Sequence, residues 1–520
     1  MRRIFIFVLI AMMICPILSV GSSAEAWDGV TQSSSLKGEG TAESPLLIES
    51  AADLACLART VNKGMSYEGK YITQTADIDL GGKEWTPIGY CSEDSSTYKV
   101  FSGVYDGKGH KITGFSITKA LANDTGLFGY VAGTKRNEAG IANLTLEGRI
   151  SIDGPKSVGI GALVGRICLE ADVGLKETYV LNCVVDVDIN IINCKNQPRV
   201  GGVLGYCNLT TVENVTSNGD VTVKTSATSR IGGVFGEITS STVNGCVNNG
   251  NVFGTITSGN AQVGGIAGMI VYWPKSGRKL ILGRCINNGD VTNNLTTGKC
   301  YTGGVVGGFY SDDKKAMDVL VIDCMNTGTV SSTAETSSYY PYTGGIYSYA
   351  SYPKTAIVRC INTGTIISKG GLDDRPGDII SVMNNASEKT LYCLDCICIG
   401  SLSAYIVNDK SGCVEFMDEA LLNAASKSLS DSITRSIINI NGFDTSGIPD
   451  KPSIPLMPET TAAPEVTKGP EAGMLSTSTT TEPEANIDDA MTVAAIVCAL
   501  SSVLCCCIIP AVTRRKKEES

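Results

Sequence analysis

A five-residue word, Gly-small-aliphatic-x-Gly, recurs seven times, starting from the degenerate Thr125-Gly126-Leu127-Phe128-Gly129. The words close at Gly129, Gly165, Gly205, Gly236, Gly268, Gly307 and Ser348, at intervals of 36, 40, 31, 32, 39 and 41 residues. A loose period of this length marks supersecondary units stacked on one another, each touching only its neighbours, rather than one mixed globular core. Such a chain builds a long surface more readily than a single catalytic pocket.

Between the words lies a second signature: Asn244-Gly-Cys246-Val-Asn-Asn-Gly250-Asn-Val252, Arg284-Cys285-Ile-Asn-Asn-Gly289-Asp-Val291, Asp323-Cys324-Met-Asn-Thr-Gly328-Thr-Val330 and Arg359-Cys360-Ile-Asn-Thr-Gly364-Thr-Ile366. Apolar and polar residues alternate through it, and the Asn-Gly and Thr-Gly pairs are expected to supply the positive φ of tight turns. The unit reads as strand, turn, strand. Three short strands and their turns fill one coil of a β-solenoid, in which each coil pairs with its neighbours and exposed edges remain only at the two ends. Ends need caps. Residues 50–62, with Ser50 and Asp53 spaced as a capping box before an apolar face, predict a helix over the first coil. Residues 414–427, holding Phe416, Met417, Leu421 and Leu422, predict a second.

At this point the chain resembles a known family. Thr125-Gly126-Leu127-Phe128-Gly129 carries the Gly-Leu-x-Gly core of GLUG-motif repeats, found in bacterial adhesin-like surface proteins and in the non-catalytic part of immunoglobulin A peptidases. Gly38-Glu-Gly-Thr-Ala-Glu-Ser-Pro45, Ala76-Asp-Ile-Asp79, Trp85-Thr-Pro-Ile-Gly89 and Phe101-Ser-Gly-Val-Tyr-Asp-Gly-Lys-Gly-His110 resemble the module that precedes such repeats. The resemblance covers residues 36 to 400 and implies an all-β fold, a right-handed parallel β-helix-like solenoid with small helical caps, and no fixed activity. The later repeats depart from it, since Ser348 replaces the final glycine and the rungs fade after Cys360.

The ends of the chain carry the signals of an exported, anchored protein. Arg2 and Arg3, an apolar run and Ala24-Glu25-Ala26 have the form of a signal peptide over residues 1–26. An uncharged run at 490–512, followed by Arg514, Arg515, Lys516 and Lys517, is long enough to form one transmembrane helix and is flanked as positive-inside demands. The resulting order is signal peptide, N-terminal capping module (27–115), solenoid repeats (116–404), C-terminal cap (405–446), Pro/Thr-rich stalk (447–489), transmembrane helix (490–512) and an inner tail (513–520). Leu456-Met457-Pro458-Glu459-Thr460 does not meet the sortase order, so the anchor is the span. The net charge of −10 argues against a nucleic-acid partner, whose phosphates need a basic face. Six Asn-x-Ser/Thr sites, at Asn123, Asn143, Asn208, Asn214, Asn294 and Asn385, would carry glycans in a eukaryotic source.

Candidate chemistry is sparse. His110, the single histidine, sits in a glycine turn with no orienting partner legible. There is no His-Glu-x-x-His, no Gly-x-Ser-x-Gly and no phosphate loop, and Gly159-Ile-Gly161-Ala-Leu-Val-Gly165 lacks glycine at Val164 for a dinucleotide fingerprint. Asp77 with Asp79, and Asp186 with Asp188, share strand faces and would hold Ca²⁺ or serve as lyase carboxylates, though two acids on a face are common; Cys393-Leu-Asp-Cys396-Ile-Cys398 has only Cys413 nearby as a fourth zinc ligand. No cofactor or metal is expected.

Cys183, Cys246, Cys285, Cys324, Cys360 and Cys396 occupy one repeat position. One coil per repeat would stack them about 4.8 Å apart, leaving two readings, a buried ladder of small apolar side chains or rung-to-rung disulfides. For contact, the aromatic segments are the best surfaces: Trp273 with the lysines of 275–279, and Tyr339, Tyr340, Tyr342, Tyr347 and Tyr349. The functional expectation is therefore a membrane-anchored surface solenoid that adheres to an extracellular protein or glycan and is not an enzyme. The alternatives are a polysaccharide-active β-helix enzyme, which would need carboxylates with Arg or Lys in register on successive rungs, and an inert spacer.

Overall fold

The computed structural model describes residues 25–407, apart from segments 92–96, 120–123, 156–158, 168–175, 195, 273–279, 312–318, 336–340, 351–354, 371–374, 385–390, 395 and 399–404. The signal peptide up to residue 24, the second cap helix, the stalk, the transmembrane helix and the tail lie outside the described residues. Among the described residues no helix is long and apolar enough to cross a membrane.

The chain winds as an all-β parallel solenoid with four faces. One coil shows the pattern: Thr210–Glu213 lies on the first face, Thr216–Ser217 and Val221–Thr225 on the second, Ser229–Gly232 on the third and Phe235–Thr239 on the fourth. The faces hold eleven, fifteen, seven and nine described strands, so seven coils carry all four. Five strand segments make a coil, against the three expected from alternation, because two corners are too short to leave a visible turn signal.

Register follows the repeat. Val221 pairs with Val252, Val252 with Val291, Val291 with Val330 and Val330 with Ile366. One repeat is thus one coil. In the longest, two extra residues stand between Ala334 and Pro341, at the second-to-third corner, but the unequal intervals are absorbed mostly between the fourth and first faces. Two residues separate Thr239 from Thr242 there, and seven separate Tyr272 from Leu280. The stack of first-face strands begins at Leu46–Ile48, inside the segment expected to be a capping module, and the last described strand is Tyr405–Val407.

The tight corner between the first and second faces is made by Asn143, Asn182, Asn214, Gly245, Arg284, Asp323 and Arg359, all near φ +50° to +65°. Asparagine tolerates this conformation and glycine adopts it freely. The glycines of the Asn-Gly and Thr-Gly pairs, expected to hold the positive φ, do something else. A Cβ on Gly250 would collide with the Gly219 carbonyl, one on Gly289 with that of Gly250, and one on Gly328 with that of Gly289. They form a column in which backbones of successive coils approach too closely for any side chain.

The interior is one continuous apolar cluster running from Trp27 to Cys396. Within it stands a column of fully buried amides, Asn248, Asn287, Asn326 and Asn362. Each Nδ2 donates to the carbonyl two residues on, at 2.7–3.1 Å, and to the next Oδ1 at 2.7–2.8 Å wherever a next amide stands. Opposite them are the second glycines of the words: a Cβ on Gly233, Gly265, Gly304 or Gly345 would strike Asn248, Asn287, Asn326 or Asn362 in turn. The two sequence signatures are therefore one packing device seen from its two sides.

The helix Ala51–Asn62 closes the N-terminal end and shares the apolar cluster through Leu54, Leu57 and Val61. Ser50 caps it, accepting from Asp53 N at 3.3 Å, while Asp53 Oδ2 reaches back to Glu49 N at 3.1 Å.

Candidate contact groove

The residue two before the first glycine of each word and the residue directly after the last one both point outward, on the third and fourth faces. Successive pairing puts Arg199, Arg230, Gln262, Tyr301 and Tyr342 in one column. It puts Arg166, Tyr206, Glu237, Met269 and Gly308 in the facing column. The word between them turns Val234 and Phe235 inward, both fully buried, and its glycines leave the outside of the corner bare. Side chains from the two columns therefore meet across the corner, where Arg166, Tyr206, Glu237, Met269 and Gln262 are buried and Arg199, Arg230, Tyr301, Tyr342 and Tyr349 stay partly open along a candidate groove.

The N-terminal half of the groove is charged. Arg166 Nε lies 2.6 Å from Asp124 Oδ2, and Asp124 Oδ1 accepts from Gly159 N at 2.8 Å. Arg199 Nε and an Nη of Arg230 both lie 2.7 Å from Glu237 Oε2. The guanidinium of Arg199 sits 4.9 Å from the centre of the Tyr206 ring, and Arg230 Nε contacts Met269 Sδ at 3.1 Å. Burial pushes the Asp124 carboxyl up, against the pull of Arg166. This half is the register of carboxylates and arginines that the aligned signatures did not reveal. The column lies just outside the words, where repeat-to-repeat comparison sees only variable residues.

The C-terminal half is aromatic. Tyr301 and Tyr342 stack at 5.3 Å and 11°, and Tyr349 tilts against both, at 5.7 and 4.9 Å between centroids. All three are half-buried, and Tyr310, on the same outer face, is exposed. Burial raises the Tyr301 phenol, with Tyr342 adding to the shift, so it stays neutral in ordinary conditions. Between the halves lies Gly308, over which the Gln262 side chain leans: a Cβ on Gly308 would be 2.6 Å from Gln262 Cγ. Gln262 is 8% exposed, and its buried Oε1 has no hydrogen-bond partner among the described residues.

Of the aromatic residues expected to make contact, Tyr342 and Tyr349 fall in this groove. Tyr347 does not: it is fully buried, pairs with Val306 and belongs to the core, because it fills the inward position of the word. Trp273, Tyr339, Tyr340 and the lysines of 275–279 lie outside the described residues. Tyr301 was missed, and so was an eighth word, Gly377-Asp378-Ile379-Ile380-Ser381, whose final serine repeats the substitution already seen at Ser348.

Cys183, Cys246, Cys285, Cys324, Cys360 and Cys396 are buried thiols without disulfides, with Val215 completing their column. Burial pushes the Cys183 thiol up to about 12 and those of Cys285, Cys324 and Cys360 well above the ordinary value. The aspartates are engaged by neighbouring coils or their own turn, or face solvent, and Asp188 Oδ1 accepts from Asp220 N at 3.0 Å. Asp77 Oδ1 accepts from Lys111 N at 3.0 Å and meets His110 Nδ1 at 3.1 Å, Asp79 Oδ1 accepts from Gly81 N, and Asp186 and Asp188 are exposed. Among the glycosylation sequences, Asn208 is buried, Asn143 and Asn214 are corner residues whose Nδ2 atoms donate to Asp106 Oδ1 and Asn182 Oδ1, and Asn294 is half-buried.

No protein-family model matches the chain. A provisionally named Gly-rich membrane protein of Evansella cellulosilytica is 34% identical over 169 residues, which make up 32% of this chain and 18% of that protein. Halomucin of Haloquadratum walsbyi is 28% identical over 187 residues, 34% of this chain and 2% of halomucin. The chain thus spans less than a fifth of the length of these relatives. Among solved structures, a provisionally assigned immunoglobulin A1 protease from Bacteroides ovatus aligns over 73% of this chain and 84% of its own, with a TM-score of 0.38 and 16% identity.

Proposed function

We propose that this chain is a membrane-anchored cell-surface protein whose body, a right-handed solenoid of the GLUG-motif kind, adheres to a host, cell or glycan surface through the groove between its third and fourth faces. The observation that carries this reading is the cluster of Tyr301, Tyr342 and Tyr349. Half-buried, mutually stacked rings supply contact area that is already ordered, at little further cost in conformational entropy. The signal-like N-terminus, the uncharged run at 490–512 and a relative named as a Gly-rich membrane protein support the surface location.

The charged half of the groove favours a second reading, a polysaccharide-active enzyme. Contact is preferred because Asp124 and Glu237 are almost wholly buried and each is bound by guanidinium, which leaves neither placed to exchange a proton with a sugar. The test is an array of the full chain in lipid nanodiscs against glycans and extracellular-matrix proteins, with the supernatant assayed for cleaved product. Adhesion requires binding that Tyr342→Ala weakens at least tenfold, without product. Released product would replace adhesion by catalysis, and silence in every arm would reduce the chain to a spacer.

A further inference from the structure

The segment that follows the solenoid carries a regularity of its own. Pro449, Pro452, Pro455 and Pro458 stand three residues apart, and Ile454, Leu456 and Met457 between them are apolar. Polyproline II has three residues per turn, so this spacing predicts a helix with a proline at every turn on one side, a ridge that repeats about every 9.3 Å. Coils stacked about 4.8 Å apart repeat on alternate rungs at about 9.6 Å. Ridge and groove are thus commensurate, and successive prolines fall at the same place on every second coil.

The groove has the surface that such a ridge needs. Tyr301 and Tyr342 stack, and Tyr349 leans on them at 52° and 51°, so the cluster offers inclined ring faces rather than one plane. Tyr310, on the same outer face, is 49% exposed. The described course of the chain also ends at this place. Tyr405 pairs with Val382 and Val382 with Tyr349, so the last described strand stands two coils beyond the cluster in the same column. Residues 408–448 join it to the ridge; a flexible coil of these 41 residues would span about 35 Å, several times the roughly 10 Å that separates the last strand from Tyr349.

We infer that residues 449–458 of this chain dock in the groove as a polyproline II helix, with prolyl rings against Tyr301, Tyr342 and Tyr349, and cover the contact surface until a ligand displaces them. The inference rests on the groove of the adhesive reading and adds its regulation. Prolyl rings pack on aromatic faces at small entropic cost, because the helix is stiff before it binds. Its carbonyls have no partners within the helix, and a phenol held neutral by burial, as Tyr301 is, can donate to them. The tether favours the chain's own segment over that of a second copy, since it holds the ridge beside the groove at an effective concentration of about millimolar.

The experiment compares the full chain with its Pro452→Ala/Pro455→Ala variant, each at one copy per uncharged nanodisc, and follows nitration of tyrosines by tetranitromethane with peptide mass spectrometry. Both substitutions lie outside the solenoid, so the circular-dichroism spectrum should stay the same. Nitration of Tyr342 and Tyr349 should rise severalfold in the variant, while that of Tyr98, 50% exposed in the N-terminal module, should not change. A synthetic peptide of residues 447–460 should bind the variant about tenfold more tightly than the unaltered chain, whose groove is filled, and adding Tyr342→Ala to the variant should abolish that binding. Equal nitration with and without the two prolines, or equal peptide binding, would overturn the inference. Protection that appears only with two copies per nanodisc would give the groove to a second copy and overturn docking within one chain. Adhesion is read separately on the glycan and matrix array. A ligand that needs Tyr342 and binds chain and proline variant alike leaves adhesion standing and sinks the inference; released tyrosines with no ligand on the array leave the inference standing and sink adhesion.

Discussion

The buried amide column makes a graded prediction that is independent of any ligand. In Asn287→Ala, three hydrogen bonds of the buried side chain disappear. The Nδ2 donations to Gly289 O and Asn326 Oδ1 are lost, at 2.8 and 2.7 Å, as is the one accepted from Asn248 Nδ2, at 2.8 Å. Two acceptors and a donor hydrogen are then stranded where water does not reach. Each orphaned buried group costs about 1–3 kcal/mol, and partial relaxation brings the expected loss to about 3–5 kcal/mol. Asn248 is the N-terminal end of the column, and its Oδ1 already lacks a partner among the described residues. Asn248→Ala strands only Gly250 O and Asn287 Oδ1 while removing that unsatisfied acceptor, so it should cost about 1–3 kcal/mol. The double variant should fall short of additivity by about 1 kcal/mol, because the two residues share a bond. Stacked coils need not unfold in one step, so urea titration should be read by hydrogen–deuterium exchange of the coils around Cys285 as well as by circular dichroism. If Asn287→Ala costs no more than Asn248→Ala, the column is not the continuous hydrogen-bonded chain described here and the reasoning is wrong.

Other expectations follow from the same packing. Gly265→Ala would drive a Cβ into Asn287 and the Gly304 carbonyl, costing at least about 1–3 kcal/mol in a thermal melt, and Asn287→Ala should relieve part of it. Glu213 is 1% exposed, neither carboxylate oxygen has a hydrogen-bond partner among the described residues, and burial raises its pKa, with Arg284 opposing. A raised folded-state value means stability is greatest below the unfolded carboxylate range and falls as pH rises through the folded value. Glu213→Gln should therefore be more stable than wild type at neutral pH and indistinguishable from it near pH 3, measured as midpoints of urea unfolding. Eleven cysteines, from Cys56 to Cys396, are buried, so a thiol reagent should leave these unmodified in the native chain and label them after denaturation, as peptide mass spectrometry would count. Labelling of Cys285 or Cys324 in the native state would place the column elsewhere.

The repeat words determined a great deal by themselves. Their period made a stack of coils the natural fold, since a glycine word every 31 to 41 residues allows each unit to bury its apolar side only against the next. The cap helix was legible because Ser50 and Asp53 satisfy backbone groups locally. The shared repeat position of the cysteines was legible too, though not whether they stack as buried thiols or bridge the rungs.

What needed the tertiary structure were the relations between coils. No local rule says that the second glycine of each word makes room for an asparagine one coil further on, or that the turn glycines serve close approach while Arg284, Asp323 and Arg359 hold the left-handed corner. Nor does one say that Tyr347 points inward while Tyr349, two residues later, joins Tyr301 from the previous coil. The groove is of the same kind. Its residues flank the words at fixed offsets and so were present in the sequence, but they vary from coil to coil as Arg, Gln, Tyr, Glu and Met. Their common role exists only where parallel pairing stacks them and a side-chain-free corner folds the two columns together.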